Sequence, residues 1–256
     1  MENEQAWYRA RTVTEFDDTV KQVQLFFRRH VAPFQIVLLG FSPNFRHFLH
    51  RQGVYHAPYW SCFDAMQGIS SRSMRTFSFH DLAWPDDVEF VYSPFAVLAM
   101  RGGEKFAQVE FAEDGNMFLV DMFQGGQRVC TNLYDGFVSC QVSYKDGAPV
   151  RRRFFDEGGT WKLAQYLTDG HVVINPASAW FLHGSGDSAK RVPYQRQRYD
   201  RLDDVIEEVL ADFLRDTSGD DVFTIAMDPR HSEVLDHALA GRPKVLSFFG
   251  RRMGER

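Results

Sequence analysis

Apolar positions follow three successive patterns along the chain. In the first, Phe16, Val20, Val23 and Phe27 recur at i, i+4, i+7 and i+11, the stripe of an amphipathic helix. Thr14 and Asp17 stand before it with the spacing of a capping box. The run Ile36-Val37-Leu38-Leu39-Gly40-Phe41 is short and continuously apolar, as expected of a strand covered on both faces. Ser42-Pro43-Asn44 then predicts a turn and a helix start, with Phe45, Phe48 and Leu49 on one side. Strand, turn and helix open an α/β unit, and this alternating region extends to about Tyr92.

From Phe95 to about Pro176 the period changes to two. Turn dipeptides recur at Asp114-Gly115, Gly125-Gly126, Asp135-Gly136, Asp146-Gly147, Gly158-Gly159 and Asp169-Gly170. Asp-Gly suits tight hairpins because both central positions need positive φ. The runs between them predict strands at 106–112, 117–123, 129–134, 137–144, 150–155, 161–167 and 172–175, an antiparallel meander. Beyond it, Leu202, Val205, Ile206, Val209, Leu210 and Phe213 form a second helical stripe, opposed by Asp203, Asp204, Glu207 and Glu208. Strands are expected at 222–227 and 244–249, with a helix at 232–240 between them. Such alternation calls for a parallel sheet. The simplest assembly is one doubly wound α/β domain in two parts, residues 1–94 and 191–256, with a β-meander and linker, residues 95–190, inserted between them.

Composition narrows the function classes. A formal charge of -5 gives no general reason to bind nucleic acid or an anionic membrane. Three cysteines, Cys62, Cys130 and Cys140, fit a reduced compartment better than a disulfide framework. With Asp135-Gly136 as a two-residue turn, residue 130 would face 141, which puts Cys130 and Cys140 on opposite faces. Met1 to Arg11 is polar, without the apolar core of a signal peptide, and no apolar run approaches the ~20 residues that cross a bilayer. A cytoplasmic location is expected, with membrane contact only peripheral and through partners.

Candidate chemistry is sparse. Gly102-Gly103, Gly125-Gly126 and Gly158-Gly159 read as hairpin turns; no nucleotide fingerprint is present, and no cofactor is expected. Gly184-Ser185-Gly186-Asp187-Ser188 lacks the spacing of a nucleophile elbow and no predicted strand precedes it, so it reads as a flexible linker closing the meander. His47 and His50 lie at i and i+3 on a helix, but no further ligand arrives at matching spacing and no metal is expected. Arg151-Arg152-Arg153 reads as a solvated strand edge, and 191–201, with four arginines and two tyrosines, as a charged linker. Neither makes nucleic acid an expected partner. No carboxylate pair singles itself out for glycoside chemistry. The rule that ligands bind outside the carboxyl ends of parallel strands is more productive. It marks Gly40, Phe41, Ser42 and Asn44, then Asp228, Arg230 and His231, and last Gly250, Arg251 and Arg252. Arg and Asn hydrogen-bond sugar hydroxyls, and Tyr59 or Trp60 would stack on a sugar ring.

Six blocks carry a resemblance. They are 16–23 (FDDTVKQV), 44–52 (NFRHFLHRQ), 59–64 (YWSCFD), 82–85 (LAWP), 92–97 (YSPFAV) and 111–116 (FAEDGN). In this order they resemble the first of the three accessory secretory proteins of the accessory Sec system, which exports serine-rich-repeat glycoprotein adhesins from Gram-positive bacteria. The likeness runs from about Ala6 to Pro176 in specific blocks, and more loosely to Phe249. It implies a Rossmann-like half of a GT-B-type glycosyltransferase fold with an inserted antiparallel β-meander. It implies as partners two companion accessory secretory proteins, the accessory Sec motor protein with its channel, and the serine-rich-repeat glycoprotein. It implies carbohydrate binding without transfer, and it carries over no catalytic residue. Two departures accompany it. Members of that family are longer, so the C-terminal GT-B half is expected to be absent here, and the extra strand and Trp-Tyr motif that usually precede the Ala6-Trp7-Tyr8 block are replaced by a short polar tail.

The leading expectation is a non-catalytic, glycosyltransferase-like component of the export complex. The alternatives are the acceptor-binding half of an active GT-B glycosyltransferase that modifies such adhesins, and a free-standing sugar- or peptide-binding module.

Overall fold

The computed structural model describes residues 18–29, 33–43, 45–71, 77–94, 96–112, 115–226 and 231–247. The expected capping box at 14–17 lies outside them. Helix α1 (Asp18–Arg29) is followed by strand β1 (Ile36–Leu38), helix α2 (Phe45–Arg51), strand β2 (Tyr59–Ser61) and helix α3 (Cys62–Gln67). β1 and β2 pair in parallel, Val37 opposite Trp60, with α2 as the crossover. Val23 and Phe27 of α1 pack with Phe45 and Phe48 of α2 around Leu49, Val54 and Ala57. α3 begins where the Ser61 hydroxyl accepts from the Asp64 amide (3.2 Å), and it ends at Gly68, whose φ of 75° turns the chain out of the helix.

The largest element is a ten-stranded antiparallel sheet. Its strands are β3 (Val88–Tyr92), β4 (Ala96–Arg101), β5 (Glu104–Phe111), β6 (Met117–Gln124), β7 (Gln127–Tyr134), β8 (Val138–Lys145), β9 (Ala148–Phe155), β10 (Trp161–Tyr166) and β11 (Val172–Ile174), each beside its sequence neighbour. The tenth, β14 (Arg198–Tyr199), closes the far edge against β11. Between β11 and β14 the chain leaves the sheet in a hairpin, β12 (Trp180–His183) with β13 (Lys190–Pro193). Helix α4 (Leu202–Leu214) follows, then strand β15 (Phe223–Ala226), helix α5 (Ser232–Ala238) and strand β16 (Lys244–Ser247), the two strands pairing in parallel.

Several expectations are corrected. β3 and β4 are strands of the large sheet, which therefore begins at Val88, ahead of the boundary placed at 94. The Asp135-Gly136 turn is longer than two residues. Tyr134 pairs with Val138 past a register shift, so Cys130 faces Ser143 and Cys140 faces Leu133. The shift of two residues preserves parity, and none of the three cysteines forms a disulfide among the described residues. Arg151, Arg152 and Arg153 sit on β9, an inner strand between β8 and β10, where backbone pairing on both sides excludes an edge. The segment 184–188 is the loop of the β12–β13 hairpin, directly preceded by a strand. It is anchored by the Gly186 amide donating to the Ser70 carbonyl (2.8 Å), a contact a free linker would lack. The stretch 191–201 is likewise built into β13, β14 and the start of α4.

The main core lies between one face of the sheet and a layer made of α3, α4 and the hairpin. Leu133, Cys140, Phe154, Leu163, Ile174 and Val172 face Phe63, Met66, Phe181, Val205, Ile206, Val209 and Leu210. Each such side chain contributes roughly 1.5–3 kcal/mol when fully buried. α4 matches its apolar stripe to this layer and is fastened at both ends. Asp204 accepts from the Arg201 amide at its start, and His183 of the hairpin bonds Asp212 (2.7 Å) and Asp216 (2.8 Å) near its end. A second core covers the opposite face of β4–β6 with Phe79, Trp84 and Phe90.

Candidate functional site

The carboxyl end of β1 leads through buried Leu39 to Gly40. An added Cβ there would lie 3.9 Å from Nε2 of His231, the residue that opens α5. Gly40 and His231, marked independently after two different strands, are thus neighbours. His231 Nδ1 is 3.5 Å from Oδ1 of Asp203 on α4 and is not aligned for a hydrogen bond. The Arg201 guanidinium bonds Glu233 (2.9 Å), two residues after His231, and holds that carboxyl below the usual carboxylate range. The start of α5 is therefore fixed against the start of α4.

Phe41 turns inward, its ring edge-on to Phe63 (5.4 Å) and Phe154 (5.2 Å), so it packs as core. The Ser42 carbonyl accepts from the Phe45 amide (3.2 Å), which leaves the half-buried side chain beside the opening of α2. Tyr59 and Trp60 point to opposite sides of β2, as strand alternation requires. Tyr59 meets Phe45 edge-on at 5.3 Å in the α1–α2 layer. Trp60 is 4% exposed and stacks on Phe213 of α4 at 4.3 Å, so its ring face is occupied by another side chain and not offered to a sugar. Asn44, Asp228, Arg230 and Arg251 lie outside the described residues.

Of the expected constellation, the fold brings together Gly40 and His231, with Ser42 two residues along the same loop. Asp203 is the member that sequence reasoning missed; it looked like one of several acids on a solvated helix face, and only the packing of α5 on α4 singles it out. An imidazole, a carboxylate and a glycine backbone are groups that hydrogen-bond hydroxyls, although His231 Nδ1 itself is buried here. No helix of the described residues is long and apolar enough to cross a membrane.

A family profile for accessory secretory protein 1 of the accessory Sec system matches residues 1–255. The accessory secretory protein 1 of Streptococcus gordonii is 33% identical over 252 residues, covering 96% of this chain and 45% of that protein. The chain thus spans a little under half the length of this relative. Among solved structures, the complex of accessory secretory proteins 1, 2 and 3 of Streptococcus pneumoniae contains a chain that superposes with a TM-score of 0.82 at 28% identity, covering 94% of this chain and 48% of that one. The pneumococcal O-GlcNAc transferase GtfA, solved with UDP and GlcNAc, superposes at 0.60 with 10% identity, covering 93% and 46%. That likeness is one of fold, shared with GT-B glycosyltransferases. This chain belongs to the accessory secretory protein 1 family of the accessory Sec system.

Proposed function

We propose that the chain is the Rossmann-like half of a GT-B-type protein with an inserted antiparallel sheet, working as a non-catalytic component of the complex that exports serine-rich-repeat glycoproteins. The two flanking α/β parts each supply a parallel strand pair, and Gly40 against His231 is one of the places where they meet. The observation that carries the reading is the match to a chain solved together with accessory secretory proteins 2 and 3, at TM-score 0.82. On this reading the companions, the motor protein and the glycosylated adhesin are its partners, in the cytoplasm or at the membrane through the complex. We assign carbohydrate contact to the Gly40–Ser42–His231 corner and, from their sequence positions alone, to Asn44, Asp228, Arg230 and Arg251. Tyr59 and Trp60 support it from within.

Co-expression of the full-length protein with its two companions tests this. Co-elution in one complex on gel filtration is expected, and separate elution of three folded proteins would overturn it. The likeness to a transferase solved with UDP and GlcNAc favours a second reading, the acceptor-binding half of an active enzyme. Transfer of radiolabelled GlcNAc from UDP-GlcNAc to a serine-rich peptide by the full-length protein would establish that reading instead.

A further inference from the structure

The large sheet has a stretch of face that none of the hydrophobic clusters uses. Strand pairing places Asn132, Gln141, Arg153, Val173 and Arg198 in one row across β7, β8, β9, β11 and β14, with Ala164 of β10 completing it. The adjoining row carries Ser143, Arg151 and Tyr166. None of these residues belongs to any of the three apolar cores. At successive strand spacings of ~4.8 Å the first row spans about 24 Å.

Its charge is unbalanced. Gln141 accepts from Arg153 Nη2 (2.9 Å) and donates to Asn132 (3.0 Å), a relay that orients the Arg153 guanidinium without neutralising it. Arg151 and Arg153 have no carboxylate partner among the described residues, and the Nε atom of each is shielded from solvent without an acceptor. Burial, and then the like charge of Arg151, lowers the Arg153 pKa. Nearby acids are engaged elsewhere. Asp121 points to the other face, bonded to Thr131 and Arg128, and Asp169 bonds His171 and is otherwise balanced by Arg198 at the end of the row. Guanidinium groups held together without counter-charge are costly unless a ligand supplies it.

We propose that this face docks an extended acidic segment of a partner protein. Arg151 and Arg153 lie at i and i+2 on one strand, so their backbone positions repeat at about 6.6–6.8 Å, the repeat of alternate residues on any extended chain. Carboxylates at every second position of such a segment meet both forks in register, and bidentate pairing adds directional selectivity. The Asn132 and Gln141 amides flank them as neutral hydrogen-bonding groups. A nucleic acid is the poorer fit. Its affinity comes from neutralising many phosphates, and this patch has three guanidinium groups, Arg151, Arg153 and an Arg198 already beside Asp169, on a chain of formal charge -5.

The test uses fluorescein-labelled (Glu-Ser)6 as probe, with anisotropy titrations of the full chain at about 50 mM salt, where screening is weak. Saturable binding is expected, weakened about tenfold or more in Arg151→Gln/Arg153→Gln. Arg151→Lys/Arg153→Lys should fall between the two, because charge survives and the fork does not. Arg191→Gln, which removes a cation stacked on Trp180 away from this face, should bind like the parent. Circular dichroism melts establish that each variant is folded. Absence of saturable binding by the parent, equal binding by the folded double glutamine variant, or tighter binding of a labelled dT12 oligonucleotide would each overturn the proposal.

Discussion

The Lys162 ammonium nitrogen lies 3.3 Å from the centre of the Trp180 ring and donates to no acceptor among the described residues. The lysine occupies a register shift between β9 and β10, where Trp161 faces Phe155 and Leu163 faces Phe154, so Lys162 is the extra residue. A bulge of this kind redirects a side chain, here into the layer between the sheet and the hairpin, where it is completely buried. Cation–π attraction to Trp180 offsets part of the lost hydration. The Arg191 guanidinium carbon lies 4.2 Å from the same ring centre.

Burial brings the Lys162 pKa down to about 8. An unfolded lysine titrates near 10.4. Between about pH 8 and pH 10.4 the unfolded chain therefore holds more protons than the folded one, and stability rises with pH through that window. Below pH 8 the full penalty is in force, roughly 3 kcal/mol. Lys162→Met should accordingly be more stable than the parent at pH 7, and the difference should shrink towards pH 10.4. Urea unfolding at pH 7, 8.5 and 10 measures it. A difference that stays constant across that range would show that Lys162 is not the titrating group.

What could be read in the sequence depended on how local the signal was. Strands β5 to β11 announce themselves because side chains alternate and Asp-Gly or Gly-Gly marks most of the turns; Gly147, for instance, sits at φ 76°. The stripe of α4 is equally local, and Val205, Ile206, Val209 and Leu210 are all buried. The β12–β13 hairpin was hidden because its strands have four residues each and its loop has the Gly/Ser composition of a linker. The bulge at Lys162 leaves no sequence mark, since a lysine in a strand ordinarily reads as solvent-facing. Of the candidate corner, Gly40 and His231 were found by the rule about strand ends. Asp203 was not, because its relation to His231 depends on how two distant helices pack.

Trp60 provides a second prediction. Stacked on Phe213 and 4% exposed, it holds β2 against α4. Trp60→Ala should cost about 3–5 kcal/mol, seen as an earlier urea midpoint. Trp60→Phe should recover much of this, because an aromatic ring still meets Phe213. If Trp60 instead recognised sugar, Trp60→Ala would leave the midpoint near that of the parent and reduce only binding to immobilised GlcNAc.

Gly68 tests the same Lys162–Trp180 corner from the other side. A Cβ added there would sit 2.7 Å and 2.9 Å from two carbons of the Trp180 ring, closer than real contacts allow, at a φ of 75°. The ring is held by Lys162, Arg191 and the β12–β13 pairing, so it has little freedom to yield. Gly126, at a φ of 73° with open space around the added carbon, isolates the backbone contribution. Gly126→Ala should cost about 1–2 kcal/mol from the left-handed conformation alone. Gly68→Ala should cost more, because the helix end and the indole cannot both keep their places, and it should alter the near-ultraviolet circular dichroism of the tryptophans while Gly126→Ala leaves it unchanged. Equal destabilisation by the two substitutions, with identical aromatic spectra, would mean that the ring moves freely and that Lys162 is not confined beneath it.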